Sequence, residues 1–151
     1  MNDMFDRLDA RTEITFGLIG DHLSVGEVGQ SIGIEPTRAF EKGDFFIGSQ
    51  RIEGKMVDIE RQRPRGVWQL STLATVKTDI IVDHAESLLS QLEPKADAIN
   101  TLKESQSLFS RISICHVGGG TFELPSDIMK RIALLCEEVS VTCWENDEQD
   151  I

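Results

Sequence analysis

The chain is short of cysteine, short of basic residues and without any apolar run approaching the length of a membrane span. Each shortage closes a class. Its three cysteines, Cys115, Cys136 and Cys143, are an odd number with no Cys-x-x-Cys spacing. That argues against a disulfide framework and reads as reduced, buried thiols. Cys143 alternates with Val139 and Val141, the pattern of a small core residue. The three histidines, His22, His84 and His116, lie far apart and show no His-x-x-x-His spacing, so neither a metal centre nor a cofactor is expected. Fifteen Lys and Arg against twenty-six Asp and Glu give a net charge of −11. Phosphate affinity is mostly counterion release by Lys and Arg, so this balance speaks against nucleic acid and anionic membrane as partners. The first residues, "MNDMFDRLDARTE", hold no apolar stretch of the signal-peptide kind, and cytoplasm is the default expectation.

What remains has the length and composition of one globular domain over residues 1–151, with 1–10 and 146–151 expected as flexible ends. In "TEITFGLI", Ile14, Phe16 and Leu18 share one face and Thr15 and Gly17 the other, a strand buried on one side. Ser24 and Glu27 form a capping box for a short helix, and Leu23 and Val28 are spaced as its hydrophobic staple. Gly33 suits the left-handed position after that helix, and Pro36 forbids continuation. Gly26 and Gly29 inside it each cost up to ~1 kcal/mol relative to Ala, which is explained if they let the helix backbone sit close to the sheet.

"DFFIGSQ" and "KMVDIE" read as short strands around Gly48 and Gly54, "RQRPRG" as an exposed connection and "VWQLST" as a further strand. Residues 79–92 form a helix whose stripe is Ile81, Ala85, Leu88, Leu89 and Leu92, with His84 packing beside it. Pro94 opens a second helical piece through Ile99 and Leu102. "LFSRISICHV" is again a strand. After Gly118-Gly119-Gly120, Pro125-Ser126 starts a helix with Ile128, Ile132, Leu135 and Val139 on its buried side, running into "VSVTCW". The pattern predicts an α+β domain: a mostly antiparallel sheet with helices packed on one face, in ferredoxin-like halves with an inserted helical segment.

The early strand and short helix leading into "IGIEPTRAFEKGD", then "GVWQLST", "LLSQLEP" and the last capped helix and strand form a combination over residues 12–145. It resembles the bacterial domain-of-unknown-function family 4279. The most specific part is Gly-x-x-Pro-Thr, then Lys42-Gly43-Asp44, then Trp68; the terminal "TCWEN" matches loosely. The resemblance implies a compact bacterial α+β domain and no particular activity.

No enzyme class gathers two independent signals. "HVGGG" resembles the oxyanion-hole loop of some esterases, but the Gly-x-Ser-x-Gly nucleophile elbow is missing. A phosphate cradle needs a helix directly after the glycines, and "TFEL" intervenes; a glycine turn explains the run. Cys115 and His116 are consecutive in a strand and point to opposite faces, so they do not pair with each other. His116 reads as a core-edge residue.

Residues 38–65 concentrate seven of the fifteen basic groups against five acids, whereas residues 137–150 carry six acids and no base. Two functional readings follow. The first is a non-enzymatic protein-binding module, an immunity protein neutralising a basic toxin being one form, with room for a homodimer. The alternative is a small-ligand domain or enzyme with a site near Thr37, Lys42 and Asp44. The candidate binding residues are Thr37, Arg38, Lys42, Asp44 and Trp68; no residue stands out as catalytic. Because neither ligand clusters nor paired cysteines are expected, chelator and reductant together should leave the thermal midpoint unchanged. A collapsed melting transition under chelator would reveal a metal site.

Overall fold

A computed structural model describes residues 11–118 and 120–144. The expected flexible ends, 1–10 and 146–151, lie outside the described residues. In chain order the elements are β1 (Glu13–Gly20), α1 (Val25–Ile32), β2 (Arg38–Phe40), β3 (Phe45–Ile52), β4 (Lys55–Gln62) and β5 (Gly66–Ser71). Then come α2 (Ile81–Leu92), a 3₁₀ turn (Glu93–Lys95), α3 (Ala96–Gln106), β6 (Phe109–Val117), α4 (Ser126–Ala133) and β7 (Glu138–Trp144). The main sheet runs β2-β5-β1-β6-β7, and β3 and β4 pair only with each other.

This is the α+β class that the periodicities require. β1 is antiparallel to both β5 and β6, β5 is antiparallel to β2, and only β6–β7 is parallel. β1, α1, β2, β5, the α2–α3 pair and β6 therefore make one ferredoxin-like βαββαβ unit. The helical segment over 81–106 is not an insert between halves but the second crossover of that unit. The insert is the β3–β4 ribbon, and α4–β7 extends the sheet by one strand. β2 escaped the sequence reading because three residues are too few to show a period.

Alternation in β1 sets the layers. Ile14, Phe16 and Leu18 are fully buried beneath the helices, together with Trp68 and Leu70 of β5 and Ile112 and Ile114 of β6. Val28 and Ile32 of α1, the α2 stripe, Ile99 and Leu102 of α3, and Ile128 and Ile132 of α4 close that core. His84 is buried with them. Its Nδ1 lies 2.5 Å from Thr72 Oγ1, and its Nε2 lies 2.7 Å from the carbonyl oxygen of Thr78. A carbonyl only accepts, so the proton sits on Nε2 and Nδ1 accepts from the threonine. Thr72 Oγ1 in turn accepts the Ile14 N–H at 3.0 Å, so this relay pins the segment before α2 to the central strand.

The cap of α1 differs from a self-contained capping box. Ser24 Oγ accepts the Glu27 N–H at 3.4 Å, as the spacing demands. The return leg, however, runs through α3: Ser24 N–H donates to Gln106 Oε1 at 3.0 Å, and Gln106 Nε2 donates to Glu27 Oε2 at 2.8 Å. Two other expectations are corrected. A Cβ built on Gly26 or Gly29 meets nothing within 4 Å, so neither glycine serves a close approach to the sheet. α4 ends at Ala133, and Val139, Val141 and Cys143 lie on β7, exposed rather than in the core. They stand opposite Ile112, Ile114 and His116, on the helix side, but the helices described do not reach over the edge strand.

Two substitutions test this architecture. Gly33 ends α1 with φ +68°, its N–H donating to the Gly29 carbonyl at 2.9 Å. Gly33→Ala should cost about 1 kcal/mol from the left-handed strain alone, read as a lower denaturant midpoint. Glu137 accepts hydrogen bonds from Ser110 N–H at 2.7 Å and Ser110 Oγ at 2.5 Å and pairs with Lys103. Partial burial raises its carboxyl, but the bonds from Lys103 and Ser110 outweigh this and hold it below its ordinary 4.5. A depressed carboxylate contributes stability above its unfolded pKa, and the contribution is lost as pH falls through the folded value. Glu137→Gln should therefore cost about 1 kcal/mol at neutral pH, the side chain being half exposed, and should flatten the acid limb of the stability curve.

Candidate functional site

The sheet face opposite the helices is built from the other half of each alternation. Across the strands Ser71, Thr15, Ser113 and Ser140 form one row of hydroxyls, and Ser140 Oγ donates to Ser113 Oγ at 3.1 Å. The next row is Arg38, Gln69, Gly17, Arg111 and Glu138, with Arg111 Nε 3.1 Å from Glu138 Oε1. A shallow groove of about 770 Å³ lies on this face, lined by Arg11, Glu13, Thr37, Arg38 and Lys77 among others. Thr37 Oγ1 accepts the Ser71 N–H at 2.9 Å, and Ser71 Oγ donates to Glu13 Oε2 at 2.6 Å. The Arg38 guanidinium stands 5.1 Å from the Phe40 ring centroid. Thr37 and Arg38 thus share a polar groove with an excess of cations.

Lys42 and Asp44 do not line that groove. They belong to the turn that launches the ribbon, with Gly43 at φ +89°. Asp44 Oδ2 accepts the Glu41 N–H at 2.8 Å, which closes the turn, and Lys42 Nζ lies 3.3 Å from Asp21 Oδ2 with both side chains mostly exposed. Trp68 occupies a third place. It is fully buried, edge-on to Phe16 with ring centroids 6.4 Å apart, and its Nε1–H has no acceptor among the described residues. The five candidates therefore fall into three surroundings rather than one pocket.

Charge counting marks the segment of the ribbon only as rich in basic residues. The ribbon's base is held by Gly43 N–H to the Arg63 carbonyl and Arg63 N–H to the Asp44 carbonyl, at 2.9 and 2.8 Å. The Arg63 guanidinium lies 4.1 Å from the Phe40 centroid and 3.7 Å from that of Phe46, joining ribbon to sheet by cation–π contact. Register then sorts the side chains. Phe45, Ile47, Ser49 and Arg51 share a face with Met56, Asp58, Glu60 and Gln62. Phe46, Ile52, Lys55, Val57, Ile59 and Arg61 take the other, where Arg61 Nη2 donates to Gln50 Oε1 at 3.1 Å. Phe45, Ile47 and Met56 are 67%, 68% and 63% exposed; Met56 stands opposite Arg51, with the Ser49–Asp58 pair between it and Ile47. Cross-strand pairing was the needed signal, since the sequence shows only that each strand alternates.

In "HVGGG", His116 and Val117 end β6, Gly118 and Gly120 have positive φ, and Gly119 lies outside the described residues. His116 packs against Phe122 with centroids 5.1 Å apart and stands opposite Cys143 across the β6–β7 pair. Burial pushes the Cys115 and Cys136 thiols up from their ordinary range, which disfavours the thiolate at both. Among the described residues, no three His, Cys, Asp or Glu side chains gather as metal ligands, and no helix is long and apolar enough to cross a membrane. The model of the family described as "Domain of unknown function (DUF4279)" matches residues 10–146. No curated protein and no solved structure matches the chain.

Proposed function

We propose, for a chain that belongs to the DUF4279 family, the role of a protein-binding module that docks through one face of the β3–β4 ribbon. The observation that carries this is the exposed trio Phe45, Ile47 and Met56 on a ribbon that pairs only with itself. A two-stranded hairpin is marginally stable alone in water, so a ribbon with apolar side chains on its surface gains most from a partner that covers it. Asp58 and Glu60 share that face with Arg51, and the chain as a whole carries −11. The net charge suits a basic protein, which the negative field attracts while Phe45, Ile47 and Met56 anchor it. An immunity protein that masks a basic toxin is one form this would take.

The polar groove on the open sheet face supports a second reading, a small anionic ligand near Thr37 and Arg38, because Arg11, Arg38 and Lys77 outnumber Glu13 there. In that case Arg38→Ala weakens the ligand and leaves ribbon variants without effect.

The decisive measurement is capture from the source organism, followed by association kinetics on the captured species. The wild-type chain should retain a basic protein whose association slows as ionic strength rises. Ile47→Asp should lose that protein while keeping the wild-type melting temperature. Capture that is indifferent to Ile47→Asp would remove the ribbon from the interface, and an association rate indifferent to salt would remove the electrostatic part.

A further inference from the structure

The two ends of the main sheet are finished differently. β2, at one end, is three residues long, and shortness is itself a defence against unwanted pairing. β7, at the other, runs for seven residues and pairs with β6 without a bulge from Glu138 to Trp144. Among the described residues nothing pairs with its outer edge, so a row of N–H and C=O groups faces outward there. Folded proteins blunt such edges with lysine, proline or a bulge, and β7 has none of these. Its helix-side residues sharpen the point. Val139 and Val141 are 45% and 54% exposed and Cys143 is exposed, whereas Ile112 and Ile114 beside the valines on β6 are buried. The core stops one strand short of the sheet's end.

Charge says what kind of strand would continue it. Glu137 and Glu138, where β7 starts, are committed to Lys103 and Arg111. After Trp144 the sequence adds Glu145, Asp147, Glu148 and Asp150 and no base. Uncompensated negative charge therefore belongs to the C-terminal side of the strand. We propose that β7 takes up an extended segment of a basic protein as a sixth strand of the sheet, running antiparallel, with Lys or Arg just before it and apolar residues at every second position. Main-chain hydrogen bonds to the outer edge supply affinity, and the alternating side chains supply selectivity. The apolar ones pack beside Val139, Val141 and Cys143, and the polar ones lie beside Ser140 and Thr142. Antiparallel pairing is slightly the more stable, and it brings the segment's leading basic residues to the acids after Trp144. A second copy of β7 fits worse: the same pairing would set those acids against Glu137 and Glu138 of the other copy, between chains that each carry −11. This edge is at the far end of the sheet from β2, on which the ribbon packs, and the proposal does not rest on the ribbon reading.

Amide spectra and hydrogen exchange of the ¹⁵N-labelled chain test this, with a blocked peptide Lys-Lys-Lys-Val-Thr-Val-Thr-Val-Thr as the probe. The expected result is saturable shifts and slowed exchange at β7 amides. Val141→Lys should bind the peptide about tenfold more weakly, through a lost apolar pair and added like charge. Its melting temperature should stay that of the wild type, because Val141 is half exposed. Deleting residues 146–151 should also weaken binding and flatten its salt dependence, and a peptide with three Glu in place of the Lys should not bind. No slowing of exchange along β7, or equal binding of the Glu peptide, overturns the proposal. So does a dimer of the free chain, seen by sedimentation, that Val141→Lys dissociates, because the occupant is then a second copy. Ile47→Asp separates this site from the ribbon: unchanged peptide affinity keeps the site on β7, and loss of binding moves it to the ribbon.

Discussion

The one-sided burial of β1 is the constraint from which the rest of the architecture follows. Ile14, Phe16 and Leu18 are fully buried, and the strand is flanked on both edges by antiparallel neighbours. A one-residue slip in either pairing would bring Thr15 and Gly17 into the core and expose the apolar set, so register is fixed by burial. Everything that covers these residues must then come from one side, and α1, α2, α3 and α4 all do. Polar connections reinforce the arrangement where helices meet it. The His84–Thr72–Ile14 relay ties the start of α2 to β1, and Gln106 completes the cap of α1 from the end of α3.

Because the helices occupy one side, the open sheet face and the ribbon remain uncovered. Two rows of the open sheet face are polar, with hydroxyls, amide and guanidinium, and the next row, Phe40, Val67, Ile19 and Phe109, is apolar. The ribbon adds apolar surface where no helix covers it; two backbone hydrogen bonds close its base, and one arginine between two phenylalanines ties it to the sheet. β7 does so at the other end of the sheet, where Val139 and Val141 lie beyond the described helices. Both features leave apolar surface open to water, and surfaces of that kind are understood through what they contact.

Local rules read correctly wherever one segment decides its own conformation. The S-x-x-E start of α1, Gly33 at its end, the α2 stripe and the alternation in β1 all depend on neighbours a few residues away, and all appear as the spacing requires. Errors arose where a distant segment decides. Val139, Val141 and Cys143 alternate like a buried strand, yet β7 lies at the edge, and burial there depends on whether a helix reaches it. Gly26 and Gly29 look the same in sequence whether they admit a sheet or leave a gap.

By itself the sequence determined the α+β class, most element positions, the identity of the core face and the net charge. These are set by periodicity and composition, which every segment carries within itself. Only the tertiary structure decided that the helical segment is the second crossover and that the insertion is the ribbon, because strand order is a matter of long-range pairing. It also separated Thr37 and Arg38 from Lys42 and Asp44, and left Trp68 beneath α1 with an unmatched donor. A site is a meeting of residues distant along the chain, and proximity of that kind is fixed by packing, which no local pattern records.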